Sequence, residues 1–161
     1  MKLNIKSCFL FLALSTQPAL SAASAPSIQP ELSSQAQEQD IVKQVVQSAY
    51  IDGFANLVDV PAMAKGFHPS FEMLWLQQDN VEKTPLSDWL EGAKRRVAKA
   101  AGQPPKIIFT SEFLQIDITG SVAVVKVAVY QSGQLAYTDY LSLYKFTDGW
   151  RIVSKVGHSH E

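Results

Sequence analysis

Residues 135 to 159, LAYTDYLSLYKFTDGWRIVSKVGHS, constrain the fold more than any other stretch of this chain. Two runs rich in aromatic and β-branched residues flank Asp148-Gly149, a dipeptide suited to a tight turn because glycine adopts positive φ without a Cβ clash. The spacing predicts a β-hairpin, and the runs at 106–118 and 121–132 have the same character. Their connections, Thr119-Gly120 and Ser132-Gly133-Gln134, are short, and short connections join antiparallel neighbours. Residues 106 to 158 therefore read as a four-stranded meander.

Upstream the period changes. From Asp40, a residue suited to an N-cap, Ile41, Val42, Val45, Val46, Ala49, Gly53, Phe54 and Leu57 recur at helical spacing. The stripe is wide, which predicts a well-buried helix, and Tyr50 sits beside it. Asp59 with Pro61 starts a short second helix that ends near Gly66-Phe67. His68-Pro69 breaks it, because the residue before a proline is pushed out of the α region. FEMLWLQ at 71–77 reads as a strand that returns over 81–84 after the turn Gln78-Asp79-Asn80. Pro85 leads a third helix with Leu86, Trp89, Leu90, Ala93 and Val97 on one face, and Gly102 to Pro105 stop it. Helices segregated from an antiparallel sheet define the α+β class. The expected architecture is a cone-shaped, curved antiparallel sheet packed against a long N-terminal helix and two further helices.

AYIDGFANLVDVPAMAKGFHPSF at 49–71 and YTDYLSLYKFTDGWRIVSK at 137–155, in this order of elements, resemble the nuclear transport factor 2-like superfamily. That superfamily includes ketosteroid isomerases and polyketide cyclases of the SnoaL type, and the resemblance is strongest to its lumazine-binding branch. It runs from about 40 to 158. In the isomerases a tyrosine of the first helix helps bind the developing oxyanion, and Tyr50 matches that place. The isomerase general base is an aspartate on the first strand, where the alignment puts Trp75. An indole does not abstract a proton, so the resemblance does not carry the isomerase reaction with it. The superfamily contains many non-catalytic members, and fold alone does not imply function.

The N-terminus has the pattern of a secretory signal peptide at 1–23: Lys2 and Lys6, an apolar run from Cys8 to Leu14, then Ser21, Ala22 and Ala23, with cleavage expected after Ala23. The apolar run is far shorter than the roughly 20 residues a bilayer span requires. A periplasmic or secreted protein with no stable membrane insertion after signal removal is expected. Residues 24–39, rich in Ser, Pro and Gln, read as a flexible leader, and 40–161 as one domain. Cys8 is the sole cysteine and falls in the signal, so the domain carries no disulfide, Cys–Zn site or thiol nucleophile. A net charge of −1 provides no electrostatic footprint for nucleic acid.

Two readings of the closing hairpin stay open. If Asp148-Gly149 forms a two-residue turn, Asp139 lies opposite His158, and a carboxylate on one imidazole nitrogen would poise the other for acid–base work. A longer turn sets Asp139 opposite Gly157. The plainer reading of Asp139 and His158 is a structural pair, or two solvated groups. His68 suits a pocket-mouth donor or a helix cap, and Glu72 and Glu112 suit solvent-facing strand positions. His158 and His160 share a face of an extended end, which falls short of the three or four converging ligands a metal site needs, so no metal and no cofactor are expected. Tyr50, Trp75, Trp89 and Tyr140 suit the lining of an apolar pocket with polar tips. The expected function is a non-catalytic small-molecule-binding or accessory protein, with an aromatic or heterocyclic ligand and a homodimeric state. One alternative is a cofactor-independent isomerase, cyclase or hydrolyase using Asp139 and His158. The other is a dimerisation module using the exposed sheet face.

Overall fold

The computed structural model describes residues 28–57, 59–103 and 107–160, and side chains from residue 33 onward. The expected signal peptide and the first residues of the expected leader lie outside the described residues. Helix α1 (Ile28–Val46) starts well before Asp40 and passes directly into a π-helical segment, Gln47–Ala55. Local composition argues against helix over 28–39, but tertiary contacts hold its end against the sheet. Glu38 accepts from Lys145 Nζ (2.7 Å) and Trp150 Nε1 (2.8 Å), and Gln39 Nε2 donates to the Ile116 carbonyl (3.0 Å). Packing of this kind supplies most helical stability in proteins. In the π segment the bonds close over five residues rather than four, as in Asn56 N–H to Ile51 O (2.9 Å), and Gln47 Nε2 spans the same interval to Asp52 Oδ1 (2.9 Å).

Helix α2 (Val60–Gly66) starts at Asp59, whose side chain accepts from the Ala62 N–H, with proline in its first turn. It packs closely on the long helix at two glycines. A Cβ on Gly66 would come within 2.3 Å of Ala49 Cβ, and one on Gly53 would meet Met63 Cγ and the Asp59 and Ser48 carbonyl oxygens at 3.0 Å. Strands β1 (Phe67–Gln77) and β2 (Asn80–Pro85) follow, then helix α3 (Leu86–Ala100) with Leu86, Trp89 and Ala93 buried. Strands β3 (Phe109–Thr119), β4 (Val122–Gln131), β5 (Gln134–Phe146) and β6 (Gly149–Ser159) complete the chain.

The sheet order is β2-β1-β6-β5-β4-β3. The expected meander is present, but two features of the expected architecture are corrected. The sheet is mixed, because β1 runs parallel to β6. It is also not a cone: β2 and β3 are free edges with four strands between them, and the sheet is neither closed nor strongly curled. Bulges at Leu114, Ala136 and Val153 each leave one residue unpaired and add local twist, without bringing the edges together. Alternation in a sequence reports which residues share a face, and is silent on strand direction and on accumulated curvature.

All the helices lie on one face of this sheet. Val125, Val127 and Val129 of β4, Leu141 and Leu143 of β5 and Ile152 of β6 meet Val42, Val46, Ala49, Ile51 and Met63 in a fully buried core. The opposite face carries exposed Val122, Val124, Tyr140, Tyr144 and Val156.

Candidate functional site

The site begins with an interruption of that core. Along β5 the inward positions are Tyr137, Asp139, Leu141 and Leu143, so a carboxylate stands in an apolar stripe. Asp139 is 0 % exposed. Two groups satisfy it, with Tyr50 Oη donating to Oδ2 and Lys155 Nζ donating to Oδ1, each at 2.5 Å. Tyr50 comes from the π segment and Lys155 from β6.

Lys155 reaches this face because of the bulge in β6. The turn uses Thr147-Asp148, so that Phe146 faces Gly149 and Leu143 faces Ile152. Val153 is then skipped, Ser142 faces Ser154, and Leu141 faces Lys155. A one-residue slip moves every later side chain to the other face, so without the bulge Lys155 would point outward. The same register sets Asp139 opposite Gly157 rather than His158. The glycine makes room: a Cβ there would lie 2.1 Å from Asp139 Oδ1 and 3.2 Å from Lys155 Nζ.

Burial dominates the electrostatics of the trio. It pushes the Lys155 ammonium below its ordinary range, with Asp139 pulling the other way. It pushes the Tyr50 hydroxyl well above the usual phenol value, and the adjacent carboxylate adds to the effect. Tyr50 therefore stays protonated near neutral pH and serves as a donor. A buried ion pair is costly to desolvate, and its hydrogen bonds offset that cost only when the remaining polar atoms are met. Asp139 meets this condition through Tyr50.

Beside the trio lies a cavity of about 410 Å³, bordered by Tyr50, Phe54, Trp75, Trp89, Tyr137 and Lys155, with Arg96 and Glu82 also on its wall. Phe54 stacks on Trp89 with centroids 3.9 Å apart and planes 13° from parallel. Tyr50 stacks on the same indole at 6.0 Å, and Trp75 meets Tyr137 edge-on at 6.4 Å. Lys155 Nζ sits 5.4 Å from the Tyr50 ring centre and 5.7 Å from that of Trp75, within cation–π range. Arg96 donates to the carbonyls of Phe54 and Ala55 (3.0 Å each), closing the end of the π segment, while its guanidinium covers the Phe54 ring. Aromatic walls of this size suit a small planar molecule.

Among the residues singled out from sequence, Tyr50, Trp75 and Trp89 meet at this cavity, and Asp139 lies behind its wall, bonded to Tyr50 and Lys155. His158, Tyr140, His68, Glu72 and Glu112 lie elsewhere. His158 is exposed on the helix-free face opposite Thr138, and its ring meets His160 edge-on at 4.8 Å. His160 Nε2 in turn lies 2.8 Å from Thr138 Oγ1. Tyr140 is 43 % exposed on the same outer face, beneath Lys126 Nζ at 5.5 Å. His68 is the second residue of β1, accepts from the Ser70 N–H at Nδ1 (3.2 Å) and stacks on Phe146 at 4.7 Å. Glu72 pairs with Lys83 at 3.2 Å, and Glu112 accepts from Tyr130 Oη at 3.0 Å. Among the described residues no three His, Cys, Asp or Glu side chains converge to hold a metal ion.

Sequence reasoning did not assign Phe54, Arg96, Tyr137 or Lys155 to the site. Phe54 follows Tyr50 by four residues on the same helix, and Tyr137 alternates with Asp139. Both signals were present in the spacing. Nothing local to Lys155 announces its bulge.

One family, described as "Putative lumazine-binding", matches residues 37–158. No curated protein matches the chain. Among solved structures, the chain is similar to an NTF2-like protein of unknown function from Shewanella baltica OS155, with a TM-score of 0.61 and 21% identity over 78% of this chain and 96% of that one. A second NTF2-like protein of unknown function, from Silicibacter pomeroyi DSS-3, gives a TM-score of 0.61 and 17% identity over 78% of this chain and 98% of the other. An NTF2-like protein with a cystatin-like fold from Novosphingobium aromaticivorans also reaches 0.61, at 10% identity over 86% of this chain and 93% of that one. At such identities the likeness speaks for the fold.

Proposed function

This chain belongs to the "Putative lumazine-binding" family of the nuclear transport factor 2-like superfamily, and we propose that it binds a small planar aromatic or heterocyclic molecule without transforming it. One observation carries this reading: the aromatic cavity of about 410 Å³ falls within the ~300–1,000 Å³ typical of ligand pockets and has a buried hydrogen-bonded trio at its wall. Acid–base chemistry by Asp139 with His158 has no geometric support, because the two residues occupy opposite faces of the sheet. Asp139 has both oxygens engaged by Tyr50 and Lys155.

Thermal unfolding in the presence of a panel of planar ring compounds tests the proposal, since a ligand that binds only the native state raises the melting temperature. Thr84 of β2 also borders the cavity, so binders should raise the melting temperature of the native chain and fail to do so for Thr84→Trp, which sets an indole into that space. Equal shifts in both proteins would refute cavity binding.

Two further parts of the reading concern assembly and location. The outer sheet face presents Val122, Val124, Tyr140, Tyr144 and Val156, each 41–48 % exposed, and we propose that it pairs with a second copy of the chain. We also propose an extracytoplasmic location, on the strength of the signal-like pattern at 1–23. Among the described residues no helix is long and apolar enough to cross a membrane.

A further inference from the structure

We propose that the ligand is a neutral planar ring system bearing a carbonyl or ring-nitrogen acceptor on its leading edge, and that Lys155 Nζ donates to that acceptor. The inference rests on the cavity reading above and specifies the chemistry at its polar end.

An ammonium has three N–H donors and accepts nothing. Among the described residues the only hydrogen-bond acceptor of Lys155 Nζ is Asp139 Oδ1. The side chain is 4 % exposed, and it borders the cavity. The two remaining donors are thus held in a nearly dry site beside the cavity, with the rings of Tyr50 and Trp75 centred 5.4 and 5.7 Å away. The trio also sets the charge that the guest meets at the Lys155 end of the cavity. Asp139 already balances the ammonium, and the Tyr50 proton is committed to Asp139. An anionic guest would place a second negative charge beside a buried carboxylate, whereas a neutral carbonyl adds an acceptor and no charge. Aromatic side chains dominate the cavity wall around the ammonium, and a planar guest lying along them reaches Lys155 with its edge.

Two bicyclic probes of similar size separate the possibilities: coumarin, which carries a lactone carbonyl on its edge, and naphthalene, which carries no acceptor. Calorimetric titration into the full chain should show coumarin binding about tenfold more tightly, the worth of one hydrogen bond to a charged donor. Lys155→Met alone strands Asp139, so the informative variant is Asp139→Asn with Lys155→Met, which removes both charges and leaves Tyr50 a partner. In that variant the preference should fall to within about twofold while naphthalene binding persists. Equal affinities in the native chain, or an undiminished preference in the double variant, would overturn the inference and leave the cavity reading intact. Loss of the preference in Arg96→Met but not in the double variant would overturn it as well, by moving the acceptor to the rim. Binding of neither probe would overturn both readings.

Discussion

The buried Asp139 carboxylate accepts from a phenol and an ammonium, and each donor meets one of its oxygens. Removing one of them is therefore more damaging than removing the charge pair. Lys155→Met should destabilise the fold by about 3–5 kcal/mol, the usual consequence of leaving one member of a buried pair alone. Asp139→Asn combined with Lys155→Met should recover most of that loss, and urea unfolding of the two variants checks the order. Gly157→Ala should cost about 1–3 kcal/mol by the same method, because its methyl group must displace Asp139 Oδ1 from a contact of 2.1 Å. Two members of this trio, Tyr50 and Asp139, were legible from the chain alone. Asp139 interrupts an alternating apolar run, so its inward direction follows from the period of a strand. Lys155 was illegible, because its direction depends on the skipped Val153, and a bulge leaves no mark in a run of β-branched and polar residues.

Elements meet here through single polar anchors, and these make testable couplings. Glu38 ties α1 to the β5–β6 hairpin by accepting from Lys145 and Trp150. Those donors hold its carboxyl below the ordinary value of 4.5. The folded chain therefore binds fewer protons than the unfolded chain on the acid side of that value, and stability should fall with falling pH there. The contribution is fully present above pH 4.5 and is lost as pH drops through the depressed folded value. The indole N–H resonance of Trp150 during an acid titration should report the release, and Glu38→Gln should flatten its response. At the far end of the same long helix, Asn56 exchanges two bonds of 2.8 Å with the Phe109 backbone, and Arg96 covers the last carbonyls of the π segment. These anchors hold the wall that carries Tyr50 and Phe54. Their sequence neighbourhood gives no hint of them, because each joins positions more than forty residues apart. The helices and strands themselves were readable, apart from residues 28–39, where contacts with the sheet outweigh a composition that favours coil.

At the scale of the whole molecule, one sheet serves two different surfaces. The face under the helices buries the core and opens into an aromatic cavity, and the other exposes a row of valines and tyrosines. If that outer face pairs two copies, light scattering after size exclusion should give twice the chain mass. Val124→Glu with Tyr144→Glu should halve it and leave ring binding unchanged. The class of the fold and the family were legible in the chain, since both depend on element order and turn placement. Whether the sheet closes was not, because curvature accumulates over six strands, and the parallel pairing of β1 with β6 joins segments far apart in the chain. The central claim, a planar guest among the cavity rings, is most directly tested by the indole N–H resonances of the three tryptophans during titration with coumarin. Trp75 and Trp89 border the cavity, while Trp150 is bonded to Glu38 outside it. The account predicts saturable shifts for Trp75 and Trp89 at one site per chain, with Trp150 unmoved. Saturation that leaves both cavity indoles in place, or that moves Trp150 alone, would contradict it.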